Sequence, residues 1–423
     1  MLQLQWRAYA FSLPQAMVTS QGAWSERRGW LLRLQSADGR LGWGEAAELP
    51  QRGGALQASH LAPPQLLPEQ LRRDALERWL PQLPLPLACA LGMALAERDG
   101  LGCVERGGWL AAPPSAWLLP AGEAALPALD TLLERGGAVP ATAARRSQPR
   151  SSAGAGPGPA GAPRAVRSMA VGMVGSRSSV IDLAAGLAMG SPSEVQGHAG
   201  SAGDARAGQG DSAAGPAAAA VGPGALRGGE RPSADPDTCP VLTVKWKVAA
   251  AGDALERRVL EALLRRLPAG SRLRLDANGG WDRRTAATWA ERLAGDPRLE
   301  WLEQPLPPHD QEGLESLAAR VPLALDESLR DRPELIAHWS GWQVRRPLVE
   351  GDPRPLLQEL ERGRPRLMLS TAFETGIGRR LLQHLAGLQA LGPTPTAPGL
   401  APGWSPPGDL FADDPEPVWE AAR

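Results

Sequence analysis

From residue 241 to residue 372 the sequence repeats one unit. Short apolar runs follow one another: VLTVKWKV (241–248), SRLRLDA (271–277), LEWLEQP (299–305), PLALDES (322–328), GWQVRRP (341–347) and RLMLSTA (366–372). Most are separated by amphipathic helical segments such as DALERRVLEALLRRLP and WDRRTAATWAERLAG. A strand then a helix every 20–30 residues or about that is the β-α repeat of a parallel sheet. Six such units predict a closed barrel rather than an open doubly wound sheet, because no dinucleotide fingerprint accompanies them. The only formal G-x-G-x-x-G match, GPGPAG (156–161), has no strand before it, and its prolines oppose a helix start.

Residues 1–113 read as a small α+β domain. LQLQWRAYAFSL alternates along a strand, and GWLLRLQSADGRLGWGEAAEL predicts a hairpin turning at Ala37-Asp38-Gly39. Helical patterns follow at about 65–80 and 84–98. SAWLLPAG (115–122) is then a short apolar strand and EAALPALDTLLERG (123–136) a helix ended by glycine, so that 114–137 begin the barrel and 239–403 complete it.

Between them, residues 138–238 are mostly Ala, Gly, Pro, Ser and Arg and hold none of the 15 tryptophans, no Phe, Tyr or Lys. Such a stretch cannot bury enough apolar surface to offset its ordering entropy, and is expected to be disordered apart from one apolar patch at 168–190. It interrupts an αβ connection, which in a barrel lies on the face away from the catalytic loops. Because closure entropy grows slowly with loop length, a tolerated insert is the expectation, ahead of a partner-binding segment.

Charge narrows the function classes. With 45 basic and 46 acidic side chains the net charge is -1, which gives no reason to expect nucleic acid or an anionic membrane as partner. No apolar run is long enough to span a bilayer, and MLQLQWRAYAFSLPQ is not a basic-then-apolar signal, so a cytoplasmic protein is expected. Cys89, Cys103 and Cys239 lack metal-ligand spacing, and the five histidines are scattered. The oligomeric state is not legible.

Only two of the 45 basic residues are lysine, Lys245 and Lys247, both in VLTVKWKV. This excludes a Walker A loop and a kinase lysine. Period-two alternation puts both on one face of their strand with Trp246 on the other. Two close cations and partial desolvation bring a lysine down from about 10.4 toward 7–8, where it serves as a general base. Asp276, Glu303 and Asp326 each end one of the next three strands. Parallel strands converge at their C-terminal ends, so the three carboxylates face one mouth, where their repulsion calls for a cation. All-oxygen donors with positions left open suit Mg2+.

The K-x-K strand followed by Asp, Glu and Asp on the next three strands resembles the enolase superfamily, in its muconate-lactonising-like branch. The supporting segments are LGWGEAAELP (41–50), DANGGW (276–281), LEQP (302–305), LDES (325–328), RRPLVEGDP (345–353) and LSTAFETGIG (369–378), and the likeness covers nearly everything outside 138–238. It implies an α/β chain: a (β/α)7β TIM-like barrel with an N-terminal α+β capping domain, to which residues 404–423 return. The segment 19–29 would be a capping loop over the pocket, with Trp24 a lid residue. A lysine base with Mg2+ is how such sites stabilise an ene-diolate.

Within that branch the resemblance implies loss of water from 2-succinyl-6-hydroxy-2,4-cyclohexadiene-1-carboxylate, a small-molecule carboxylate, on the way to menaquinone or phylloquinone. Lys247 would remove the α-proton and return it to the departing hydroxyl. Lys245 would stay charged beside it. Asp276, Glu303 and Asp326 would hold the metal. Family members usually carry a lysine on the sixth strand where this chain has Arg346. Arginine is a poor second acid or base but a good cation toward a substrate ring, which disfavours the racemases. Ser370 and Thr371 would meet the succinyl carboxylate, and Asn278 would orient water or substrate. Another superfamily activity (a cycloisomerase, an N-acylamino acid racemase or a dipeptide epimerase) and a non-catalytic barrel remain as alternatives.

Overall fold

Two long strands, β1 (Leu2–Thr19) and β2 (Gly22–Ser36), pair antiparallel from Leu2↔Ser36 to Thr19↔Gly22. A turn at Gly39, which sits at φ +83°, leads to β3 (Leu41–Ala47) on the far side of β2, and β4 (Gln70–Leu71) edges β1. The turn falls where the sequence placed it. The expected capping loop at 19–29 does not, because β2 already begins at Gly22 and the segment continues the hairpin. The expected helix at 65–80 is shorter, α1 (Arg73–Trp79), since residues 70–71 pair with β1. Helix α2 (Leu85–Arg98) matches its pattern and is buried along most of its length.

The computed structural model describes residues 1–19, 22–47, 67–135 and 242–422. The low-complexity stretch 138–238 and Cys239 lie outside the described residues. So does the side chain of Trp24.

Helix α2 lies directly on the backbone of β3. A Cβ at Gly42 would meet Ala94 O at 1.9 Å, and one at Gly44 would meet Ala90 O at 2.0 Å. Only glycine permits that approach, and the alternation of LGWGEAA then turns Trp43, Glu45 and Ala47 to the opposite face. That face packs on the barrel: Trp43 and Ala47 share a cluster with Leu369, Ile377, Leu381 and Trp419.

The barrel sheet has seven parallel strands in sequence order: β5 (Trp117–Leu119), β6 (Thr243–Lys247), β7 (Arg272–Asp276), β8 (Leu299–Glu303), β9 (Leu323–Leu325), β10 (Trp342–Arg345) and β11 (Leu367–Leu369). Its helices are α3 (Ala125–Glu134), α4 (Asp253–Arg266), α5 (Arg283–Leu293), α6 (Gln311–Ala318), α7 (Glu327–Asp331), α8 (Leu335–His338), α9 (Arg354–Glu361) and α10 (Gly376–Ala390). Residues 396–400 take the eighth strand position. Gly399 pairs with Ser370 beyond β11, while Pro398 O accepts from Ala116 N just before β5 at 2.9 Å, which closes the ring.

The period-two rule holds around the barrel. Val244, Trp246, Leu273, Leu275 and Leu302 pack outward against the helices. Trp301, Ala324, Val344 and Met368 fill the interior as a separate cluster. The terminal helix α11 (Pro415–Ala421) touches the N-terminal domain, where Arg7 donates to Trp419 O at 2.8 Å and Trp43 packs on Trp419. Among the described residues no helix is long and apolar enough to cross a membrane.

One histidine is built into this frame. His384 on α10 is 7% exposed, and its Nδ1 accepts from Leu110 N at 3.1 Å, beside Trp109. Burial lowers its pKa. The unfolded chain therefore binds more protons than the folded one just below about pH 6.5, and stability falls as pH drops through that window. Melts from pH 8 to 5 should show this loss, and His384→Asn, which keeps an acceptor but cannot titrate, should flatten it.

Candidate active site

Six consecutive strands deliver polar side chains to the C-terminal mouth of the barrel. The register sets Lys247 beside Asp276 and Asp276 beside Glu303, with Asp326 following the end of β9. The site residues fall into three bonded groups. Lys245 Nζ lies 2.6 Å from Glu303 Oε1 and 2.9 Å from Asp276 Oδ2. Lys247 Nζ donates to Asn278 Oδ1 at 2.8 Å, and Asn278 Nδ2 donates to Glu327 Oε1 at 3.1 Å. Arg346 grips Asp326 through two nitrogens, at 2.6 and 3.2 Å, and also donates to Ser370 Oγ and Thr371 O.

Burial and charge explain the titration of these groups. Burial works against the Lys245 ammonium, but Asp276 and Glu303 outweigh it and hold its pKa above the ordinary lysine value. The Glu303 carboxyl is pushed up by burial, with Lys245 opposing and Asp276 and Asp326 adding to the rise. Asp326 is lowered: burial would raise it, and Arg346 overcomes that. Glu327 is pushed up to about 7, first by burial and then by Asp326 and Asp276.

The two residues expected at the substrate have these partners here: the Arg346 guanidinium binds Asp326 and the end of β11, and Asn278 bridges Lys247 to Glu327. Among the described residues no three Asp, Glu, His or Cys side chains are closed into a ready ligand group. Lys245 and Arg346 meet the carboxylates instead, the arrangement that mutual repulsion favours. The donor chemistry nevertheless fits a hard divalent cation. Asp276, Glu303 and Asp326 are oxygen donors on neighbouring strands, 2%, 0% and 8% exposed, and their lone pairs exceed what two cationic side chains satisfy.

Several residues with structural roles here were not singled out in the sequence. Gln304, at φ +38° and fully buried, donates to Leu306 O and Ser328 Oγ and accepts from Asp326 N and Ser328 N. It fixes the turn carrying Asp326. Glu327 is the residue next to a strand-end acid, and Glu374 accepts from Thr371 Oγ1 and Ala372 N, both at 2.5 Å. The segments LEQP, LDES and FETGIG contain all three, but only the fold reveals their partners. On the rim, a cavity of about 420 Å3 runs past Asn278, Pro307, His309 and Arg332.

The fold is shared with solved members of the enolase superfamily. Residues 241–339 match the family described as enolase C-terminal domain-like. Within that class the chain is similar along nearly its whole length to o-succinylbenzoate synthase. The curated enzyme of Thermosynechococcus vestitus is 28% identical over 91% of this chain and 88% of its own. The crystal structure of o-succinylbenzoate synthase from Thermosynechococcus elongatus, complexed with Mg in the active site, superposes with a TM-score of 0.63 and 26% identity over 99% of both chains. The L-Ala-D/L-Glu epimerase of Bacillus subtilis, 16% identical at a TM-score of 0.55 over 93% of this chain and 88% of its own, shares the fold.

Proposed function

We propose that this chain is an o-succinylbenzoate synthase, a Mg2+-dependent hydro-lyase that converts 2-succinyl-6-hydroxy-2,4-cyclohexadiene-1-carboxylate to 2-succinylbenzoate and water. The similarity to the o-succinylbenzoate synthase of Thermosynechococcus vestitus over 91% of this chain supports the class of reaction. The observation that carries the proton chemistry is the position of the two kinds of cation. Lysines stand on β6 and an arginine follows β10, four strands round an eight-membered ring. One side of the mouth thus offers a group that can take and return a proton, and the opposite side offers one that cannot.

Lys247 Nζ takes the proton from the carbon bearing the carboxylate. The electron pair left behind forms the ring double bond as the neighbouring C–O bond breaks. Lys247 then gives its proton to the departing hydroxyl on the same face, so that water leaves and the ring becomes aromatic. Asn278 holds the Lys247 amine in place through the bond at 2.8 Å. Lys245 stays charged between Asp276 and Glu303 and supports the carboxylate end. Mg2+ held by Asp276, Glu303 and Asp326 supplies positive charge where negative charge grows on the substrate carboxylate. A 1,1-proton transfer needs an acid or base on each face, and Arg346 disfavours it.

The test is direct. The purified chain with the cyclohexadiene carboxylate and Mg2+ should give the aromatic product by absorbance and NMR, lose turnover on chelation and regain it on Mg2+ addition. Absence of aromatic product in the presence of Mg2+ overturns the assignment.

A further inference from the structure

We propose that Glu45, on β3 of the N-terminal domain, is a positioning residue for the substrate-binding end of the barrel. It would fix the β11–α10 loop, and through it Ser370, Thr371 and Arg346. The proposal rests on the functional reading above and on the contact of Ser370 and Thr371 with the succinyl carboxylate that the family resemblance implies.

Glu45 is fully buried, yet it crosses from one domain to the other. Its carboxylate accepts from Thr375 N at 3.0 and 3.2 Å, Thr375 Oγ1 at 2.6 Å and Gly378 N at 3.2 Å. Tyr9 OH, from β1, donates to its other side at 2.6 Å. Thr375 occupies the N-cap position of α10, but its own side chain makes no capping bond. The first free N–H groups of a fifteen-residue helix are therefore capped by a carboxylate 330 residues earlier in the chain. Gly378 permits the approach, since a Cβ there would lie 2.7 Å from Glu45 Oε2.

What this cap holds matters more than the helix itself. Residue 374, immediately before Thr375, is the glutamate that accepts from Thr371 Oγ1 and Ala372 N. Thr371 O and Ser370 Oγ in turn receive Arg346, which holds Asp326. Two sets of polar contacts, joined by the peptide bond between Glu374 and Thr375, thus run from Tyr9 and Glu45 to a strand-end carboxylate. Between its anchors Phe373 sits at φ +65°, a conformation that a bulky side chain adopts only where its surroundings hold it.

A second contact between the domains provides the control. Glu97 on α2 pairs with Arg380 on α10 at 2.8 Å and accepts from Trp43 N, joining the same helix to the same domain without touching its start. The experiment compares full-length wild type, Glu45→Gln and Glu97→Gln in melting temperature, steady-state kinetics with Mg2+ and hydrogen exchange of the peptide spanning 370–378. Expected for Glu45→Gln is a rise in KM of about tenfold with kcat within about threefold, together with faster exchange in that peptide. Glu97→Gln should lower melting temperature without either effect. If Glu45→Gln folds with unchanged KM and exchange, or if Glu97→Gln reproduces both changes, the proposal is overturned. Should Glu45→Gln fail to fold, Thr375→Val removes one partner from the other end and must raise KM in the same direction, or the proposal fails. Should wild type itself not turn over, the functional reading falls, and Glu45 is judged on exchange alone.

Discussion

Replacing Lys247 by alanine is expected to cut kcat by about 10^4-fold or more, because one amine serves as base in the first half of the elimination and as acid in the second. The fold should survive. Lys247 is half-buried at the mouth and bonded to Asn278, not to the metal-ligand candidates, so melting temperature and Mg2+ affinity by calorimetry should stay close to wild type. Lys247→Arg should be no better than alanine, since a guanidinium holds its proton throughout the accessible pH range. Turnover retained in either variant would remove the base from the mechanism.

The largest effect on stability is expected at Arg274. Its guanidinium is fully buried inside the barrel, 2.6 Å from Glu300 and 2.7 Å from both Thr396 Oγ1 and Ala397 O, with Trp301 stacked on it at 4.1 Å. Arg274→Ala strips Glu300 of its buried cationic partner, leaving it only Thr396 Oγ1 and a half-exposed arginine, and opens a void beside Trp301, at a cost of about 3–5 kcal/mol. Arg272 also reaches Glu300, at 3.2 Å, but its side chain is 47% exposed and cannot close the interior. Urea denaturation measures the loss. Pairing Arg274→Met with Glu300→Gln should recover part of it, because a buried ion pair costs less to replace whole than to break.

What could be read from the sequence, and what could not, follows from the range of the interactions. Strand periodicity is local, so the β-α repeat and the shared face of Lys245 and Lys247 were legible. So was the succession Asp276, Glu303, Asp326, because parallel strands bring their ends together whatever the loops do. The turn at Ala37-Asp38-Gly39 made the hairpin legible, but not that Gly42 and Gly44 let α2 lie on β3 and turn Glu45 toward the barrel. Glu45, Gln304 and Glu374 escaped notice because a carboxylate or amide declares its partner only in three dimensions. Arg346 illustrates the same limit. That its chemistry disfavours proton transfer follows from the residue type alone, yet its attachment to Asp326 depends on the distance between two strand ends. At 19–29 the family likeness suggested a loop where local pairing, Thr19↔Gly22, extends the hairpin.

Closure of the barrel has a consequence for synthesis. Residues 396–400 join β11 to the segment before β5, so this seam can form only after every strand that carries a reactive group has left the ribosome. Until then, two rows of unpaired amides and carbonyls remain open to neighbouring chains, the kind of border on which aggregates grow. Yield of soluble protein should therefore depend on how promptly this late-made stretch docks, a step remote from the chemistry of the mouth.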